Sequence, residues 1–178
     1  MYNNILFFTQ NEIATILLNR PKQGNAFTNN MYKEIRNALE ECRNEQSIRA
    51  VVIKGEGKNF CTGGDIQEFK ELIEKEIFIP EEMALDTAAM TRAVRQCPKP
   101  VIAKVNGAAA GAGFGLALAC DFRVMSEKSK LVTSFINMGF SSDSGLIYFL
   151  QSYVGIAKAT EMLMLSKAIA AKEAYELG

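Results

Sequence analysis

The spacing of hydrophobic and polar positions changes along the chain, and the changes divide it into alternating strands and helices. Residues 4–9 (NILFFT) and 12–18 (EIATILL) are short apolar runs about Gln10-Asn11, which predicts two strands joined by a turn. Met31, Ile35 and Leu39 recur at helical spacing behind Asn29 or Asn30 as cap, so a helix is expected through about Arg43. Residues 50–54 (AVVIK) read as a buried strand closed by Gly55-Glu56-Gly57. Asp65 is placed to cap a helix carrying Phe69, Leu72 and Ile73. Pro80 opens another helix, to about Gln96, with Met83, Leu85, Met90 and Val94 inside it. Residues 101–105 form an apolar strand behind Pro98 and Pro100, and 114–120 can wind as a helix. A strand follows at 122–125, then an apolar but aperiodic stretch at 131–138. A serine-rich turn at 139–145 precedes helices at 146–153 and 156–165, separated by Gly155, and a last helix starts near Ala170. Strands alternating with helices give an α/β class. There is no repeat, low-complexity segment or linker, so residues 1–178 are expected to form one domain. The chain stops at Gly178, in or just after a helix, and that abrupt ending reads as a truncated or partly observed chain.

Composition narrows the chemistry. Twenty basic residues balance twenty acidic ones, without the basic excess expected for a nucleic-acid partner. No signal-peptide pattern precedes the first strand and no apolar run reaches spanning length, so a cytoplasmic protein off the membrane is expected. Cys42, Cys61, Cys97 and Cys120 form no CxxC pair, and with no histidine in the chain no zinc site can be completed. They read as small apolar core residues. The lack of histidine also removes every triad that needs an imidazole base.

The candidate chemistry lies in two small-residue turns. In KPVIAKVNGAAAGAGFGLALACD (99–121) a strand ends at Asn106-Gly107, and small residues then lead into a helix. Bare amides at a helix start favour an anion or an oxyanion. A dinucleotide fingerprint would follow the first strand and end on a glycine that GAGFG does not supply, and a P-loop needs GK[ST]. From spacing alone, close helix packing competes evenly with an anion site. The second turn, Phe60-Cys61-Thr62-Gly63-Gly64-Asp65, also follows a buried strand and opens a helix. Alone it is only a turn. Two such turns can aim two backbone N–H groups at one oxygen, as an oxyanion hole does.

The segments LNRPKQGNAF (18–27), NFCTGGDIQEF (59–69) and 99–121, in that order, resemble the enoyl-CoA hydratase/isomerase (crotonase) superfamily, over essentially the whole chain. The pattern is closest to its isomerase members, of the dienoyl-CoA and 1,2-epoxyphenylacetyl-CoA isomerase type. The resemblance implies a crotonase-like β-α spiral, with two roughly perpendicular sheets flanked by helices. It implies an acyl-CoA thioester as ligand, with coenzyme A part of the substrate and no separate cofactor or metal. It places the oxyanion donors at the N–H groups of Gly64 and Ala112. Lys22, Gln23, Gly24, Ala26, Gly63, Asp65, Ile66 and Gly111 would hold the coenzyme and the thioester, and Phe135 would face the acyl group. Family members continue into C-terminal helices that build a homotrimer or hexamer, and these helices are absent from this sequence.

The departures are as informative. The two hydratase glutamates fall at Gly115 and Phe135, so water has no carboxylate to orient and deprotonate it. Asp143, in GFSSDSG (139–145), stands where isomerases of the family carry a catalytic aspartate, and where dehalogenases carry a nucleophile that also needs a histidine. Ser141, Ser142, Asp143 and Ser144 are also good caps for the helix at 146–153, and from the residues alone a cap is the favoured role for Asp143. With the resemblance, the proton-shuttle role slightly outweighs the cap. Asp65 and Asp121 read as caps or turn residues, and Glu12, Glu68 and Glu71 as solvated faces. The expectation is an isomerase that shifts a double bond in an enoyl-CoA thioester through an enolate held in the hole. The alternatives are a hydratase or lyase with another base, or a non-catalytic acyl-CoA-binding subunit.

Overall fold

The computed structural model describes residues 2–78 and 80–178. The elements run β1 (Ile5–Gln10), β2 (Ile13–Leu18), a 3-10 turn (Pro21–Gln23), α1 (Asn29–Asn44), β3 (Ala50–Gly55), α2 (Ile66–Glu74), α3 (Glu81–Gln96) and β4 (Val101–Val105). They continue with β5 (Ala108–Ala110), α4 (Ala112–Ala119), β6 (Phe122–Met125), β7 (Lys130–Val132), a second 3-10 turn (Phe135–Met138), α5 (Leu146–Leu165), β8 (Ile169–Ala170) and α6 (Ala171–Leu177).

Two sheets result. The larger has the order β1-β2-β3-β4-β6 and is parallel except for the β1–β2 hairpin. The hairpin turns through Asn11 and Glu12, both left-handed (φ 49° and 63°), one residue later than Gln10-Asn11. Left-handed pairs match the twist of the strands they join. The smaller sheet has the order β5-β7-β8. Residues 108–110 are thus a short strand rather than part of a loop. Three alanines carry no period-two signal, and their partners Lys130–Val132 lie far along the chain.

Helix α1 buries Met31, Ile35, Ala38, Leu39 and Cys42 against the larger sheet and α3. Its cap is Thr28, whose Oγ1 accepts from the Met31 N–H at 3.2 Å, rather than Asn29 or Asn30. Asp65 caps α2 through the Gln67 N–H at 2.8 Å. Helix α4 is buried throughout, which explains why its run is apolar without a stripe. Helix α5 breaks at Gly155 (φ 74°), where the sequence predicts a separation. Cys42, Cys61 and Cys120 are buried and Cys97 is half-buried, all as free thiols. Among the described residues no helix is long and apolar enough to cross a membrane, and no cluster of three or more His, Cys, Asp or Glu side chains is placed to hold a metal ion.

Candidate active site

The two small-residue turns lie side by side. Cys61 bridges Ala109: its N–H donates to the Ala108 carbonyl at 3.1 Å, and its own carbonyl accepts from Ala110 at 2.9 Å. A Cβ on Gly63 would come within 3.7 Å of the Gly111 Cα. Gly63 (φ 98°) and Gly111 (φ 52°, ψ −123°) hold backbone angles that a side chain strains, and both redirect the chain. On one side of Gly64, Phe27 donates to the Gly63 carbonyl (2.8 Å) and accepts from the Asp65 N–H (2.9 Å). The Gly64 N–H therefore faces away from Phe27, and no described residue accepts from it. Ala112 opens α4 ahead of the first intrahelical bond, from the Gly115 N–H to the Gly111 carbonyl at 3.0 Å. Its N–H is an orphan at the positive end of a buried helix. Two unpartnered amides on adjoining turns can receive one oxygen that gains negative charge.

The loop after β2 packs on the second turn. The Thr62 N–H donates to the Gly24 carbonyl at 3.2 Å. Asn25, fully buried, staples the loop: its Oδ1 accepts from the Arg20 N–H (2.9 Å), and its Nδ2 donates to the carbonyls of Glu56 (2.9 Å) and Asn59 (2.8 Å). Arg20 pairs with Asp65 at 2.7 Å and donates to the buried Ala26 carbonyl at 2.6 Å. Lys22, Gln23 and Ile66 are exposed along this edge, beside half-buried Gly24. Asp65 thus does two jobs, capping α2 and anchoring the loop. The sequence suggests the first, and no local signal announces the second.

Asp143 is not a side-chain cap. Helix α5 starts at a left-handed Gly145 with no side-chain cap, and Asp143 contributes only its backbone carbonyl, which accepts from the Leu146 N–H at 2.9 Å. Its carboxylate accepts from the Ser144 hydroxyl at 2.8 Å. The side chain opens to solvent on one side, but the protein crowded around it desolvates the carboxylate and pushes its pKa above the usual range, against the Ser144 hydrogen bond. The turn rests on α4: a Cβ on Gly115 would lie 2.6 Å from the Ser144 Cβ and 2.9 Å from its carbonyl oxygen. Position 115 thus offers no room for a carboxylate, and position 135 presents a half-buried phenyl ring close to Gly111.

Three groups escape sequence reasoning. Tyr32, buried on α1, packs against Phe27 with ring centroids 5.0 Å apart and the rings tilted by 52°. Burial, with the negative charge of Asp143 as a lesser contributor, pushes its phenol far above the ordinary range. Glu68 is half-buried rather than a solvated face; it accepts from the Asn29 N–H at 3.0 Å, and burial raises its pKa. The ring of Phe69 lies over Gly64 and packs on Phe140 with centroids 5.5 Å apart, so the hole has apolar walls. A separate groove of about 860 Å³, lined by Phe114, Leu118, Leu150, Met162 and the C-terminal residues, includes neither Gly64 nor Ala112.

Comparison with known proteins accounts for the arrangement. The family model for enoyl-CoA hydratase/isomerase matches residues 8–178. The chain is 31% identical to a trans-2-decenoyl-[acyl-carrier-protein] isomerase of Streptococcus mutans, over 99% of this chain and 68% of that protein. It is 30% identical to the 1,2-epoxyphenylacetyl-CoA isomerase of Escherichia coli K12, over 100% and 68%. A solved enoyl-CoA hydratase from Polaromonas sp. JS666 superposes with a TM-score of 0.90 at 37% identity, covering 98% of this chain and 68% of that one. The chain thus spans about two thirds of the length of these relatives. With the paired turns, the two sheets and the flanking helices, these matches show that the chain belongs to the enoyl-CoA hydratase/isomerase family.

Proposed function

We propose that the protein isomerises enoyl thioesters, of coenzyme A in the first instance, by moving a double bond next to the thioester carbonyl. The thioester oxygen sits between the amides of Gly64 and Ala112. Charge drawn into that hole acidifies the C–H beside the carbonyl. The Asp143 carboxylate takes the proton, leaving a dienolate whose negative charge rests on the oxygen, and returns it two carbons along the chain. The double bond shifts and nothing is oxidised or reduced, so one acid–base group suffices. Each oxyanion donor contributes about 3–4 kcal/mol, or ~10²–10³ in rate, to such a step. Lys22, Gln23, Gly24, Ala26, Asp65 and Ile66 line the edge from which the carrier reaches the hole.

One observation carries the reading: the turn seated on α4 brings a carboxylate at 143, while 115 and 135 hold none. The experiment is turnover of a panel of 2-enoyl, 3-enoyl and dienoyl thioesters on coenzyme A and on acyl carrier protein, with crotonyl-CoA hydration alongside. Double-bond migration without water addition is expected. Hydration at ordinary enzyme rates, ~10 s⁻¹, would overturn the proposal. Asp143→Asn is expected to lower isomerisation ~10²–10⁴-fold and leave thioester binding intact.

A further inference from the structure

The contact between Gly115 and Ser144 links two parts of the site that the chain itself keeps apart. Ala112 and Gly115 lie three residues apart on α4 and share a face. The first presents an unpartnered N–H at the helix start, and the second carries the turn that bears Asp143. Ser144 is only 3% exposed, and at φ 53° it adopts a left-handed conformation that a serine enters at a cost. Residues held so are fixed by their surroundings. Here the surroundings are the bare backbone of Gly115 on one side and, on the other, the Asp143–Leu146 turn bond of 2.9 Å. Among the described residues the Ser144 hydroxyl makes one hydrogen bond, which it donates to the Asp143 Oδ1.

We propose that Ser144 is a positioning residue for Asp143, seated by its contact with Gly115, and that this seating excludes any side chain at position 115. A carboxylate at 115 and the Asp143 turn are then alternatives within one site: a glutamate Cβ would meet both the Ser144 Cβ and its carbonyl oxygen at under 3.0 Å. Trimming Ser144 to glycine would remove the first clash and leave the second. The inference rests on the proposed role of Asp143 for its catalytic consequence. The positioning itself stands on geometry and can be read without turnover.

The test is a titration of the Asp143 carboxyl by carbon-detected NMR in the free protein, assigned by loss of the signal in Asp143→Asn. The titratable group facing Asp143 is the Tyr32 phenol of α1, which stays neutral across the range, and no salt bridge reaches Asp143 among the described residues. Ser144→Ala removes a donor that favours the charged form, so the midpoint is expected to move upward while the fold melts as before. Gly115→Ala is expected to displace the turn, with a lower Tm and a changed Asp143 signal. On a thioester that is turned over, Ser144→Ala should lower kcat roughly 10- to 100-fold with KM unchanged, and move the acid limb of the pH profile in the same direction as the titration. An unchanged midpoint in Ser144→Ala, or a Gly115→Ala protein with an unaltered Asp143 signal, overturns the proposal. Absence of turnover on every thioester would instead count against the isomerase reading and leave the titration to judge the seating.

Discussion

Asp143 sits where the fold disfavours its charge. Crowding by protein raises its folded pKa above the value in the unfolded chain. The stability this group contributes is therefore greatest below the ordinary carboxylate range and is lost as pH rises through the raised folded value. At neutral pH the ionised side chain weakens the fold. Asparagine keeps the shape and carries no charge. Asp143→Asn is thus expected to melt above the wild type at pH 7, with the gap closing below about pH 4. Melting curves at the two pH values check this, and an asparagine variant less stable at pH 7 would refute it. Under the proposed isomerisation, the same raised value sets the rate. Isomerisation should rise with pH through a midpoint above that of a free carboxylate, because only the ionised form accepts a proton. Instability and loss of function then separate in one substitution, as expected where a residue is kept for chemistry.

At the scale of elements, the pairing of Asp65 with Arg20 ties the loop after β2 to the turn that carries Gly64. Asp65→Asn keeps a capping oxygen for the Gln67 N–H and loses the ion pair. Asp65→Ala loses both, and should be less stable than the asparagine variant by about 1 kcal/mol. Denaturant midpoints for the two variants measure the difference, and equal values would mean the cap contributes nothing. The elements themselves show what a sequence can reveal. The turns about Gly63-Gly64 and Gly111 are legible because small residues stand between a short apolar strand and a helix, although the strand at 108–110 inside the second is not. Asp65 is legible as a cap because its signal is local. Strands β5 and β8 are not: they are two or three residues long and exist only through partners distant in sequence. Thr28 displaces Asn29 as the cap of α1 by one position, within the usual ambiguity of helix ends. The Gly115–Ser144 contact is invisible for a different reason. A missing side chain shows what a position lacks, but only the packed fold shows what fills the space.

For the molecule as a whole, the larger sheet and its helices form one hydrophobic core. That core opens on one side into the groove beside α4 and α5. Phe122, Val124 and Tyr175 stand exposed near it or within its lining. An apolar recess of this size should take up an environment-sensitive dye such as ANS, and residues 1–178 alone are expected to enhance its fluorescence. Lys or Glu in place of Phe122 or Tyr175, both exposed on the lining, should weaken the signal if the groove is its source. An unchanged signal would place the dye elsewhere.

The donors proposed at 64 and 112 belong to the main chain, and every amino acid but proline brings one. A conventional alanine scan would leave both in place, since Ala112 is already alanine and a methyl group on Gly64 presses on the Phe69 ring without removing the N–H. The machinery is written in backbone path rather than in side-chain identity. Two proteins can therefore drift until no residue lining this hole is shared and still hold the same oxygen in the same grip. Silencing either donor takes a change of bond type, such as an amide-to-ester replacement made by semisynthesis, rather than a change of letter.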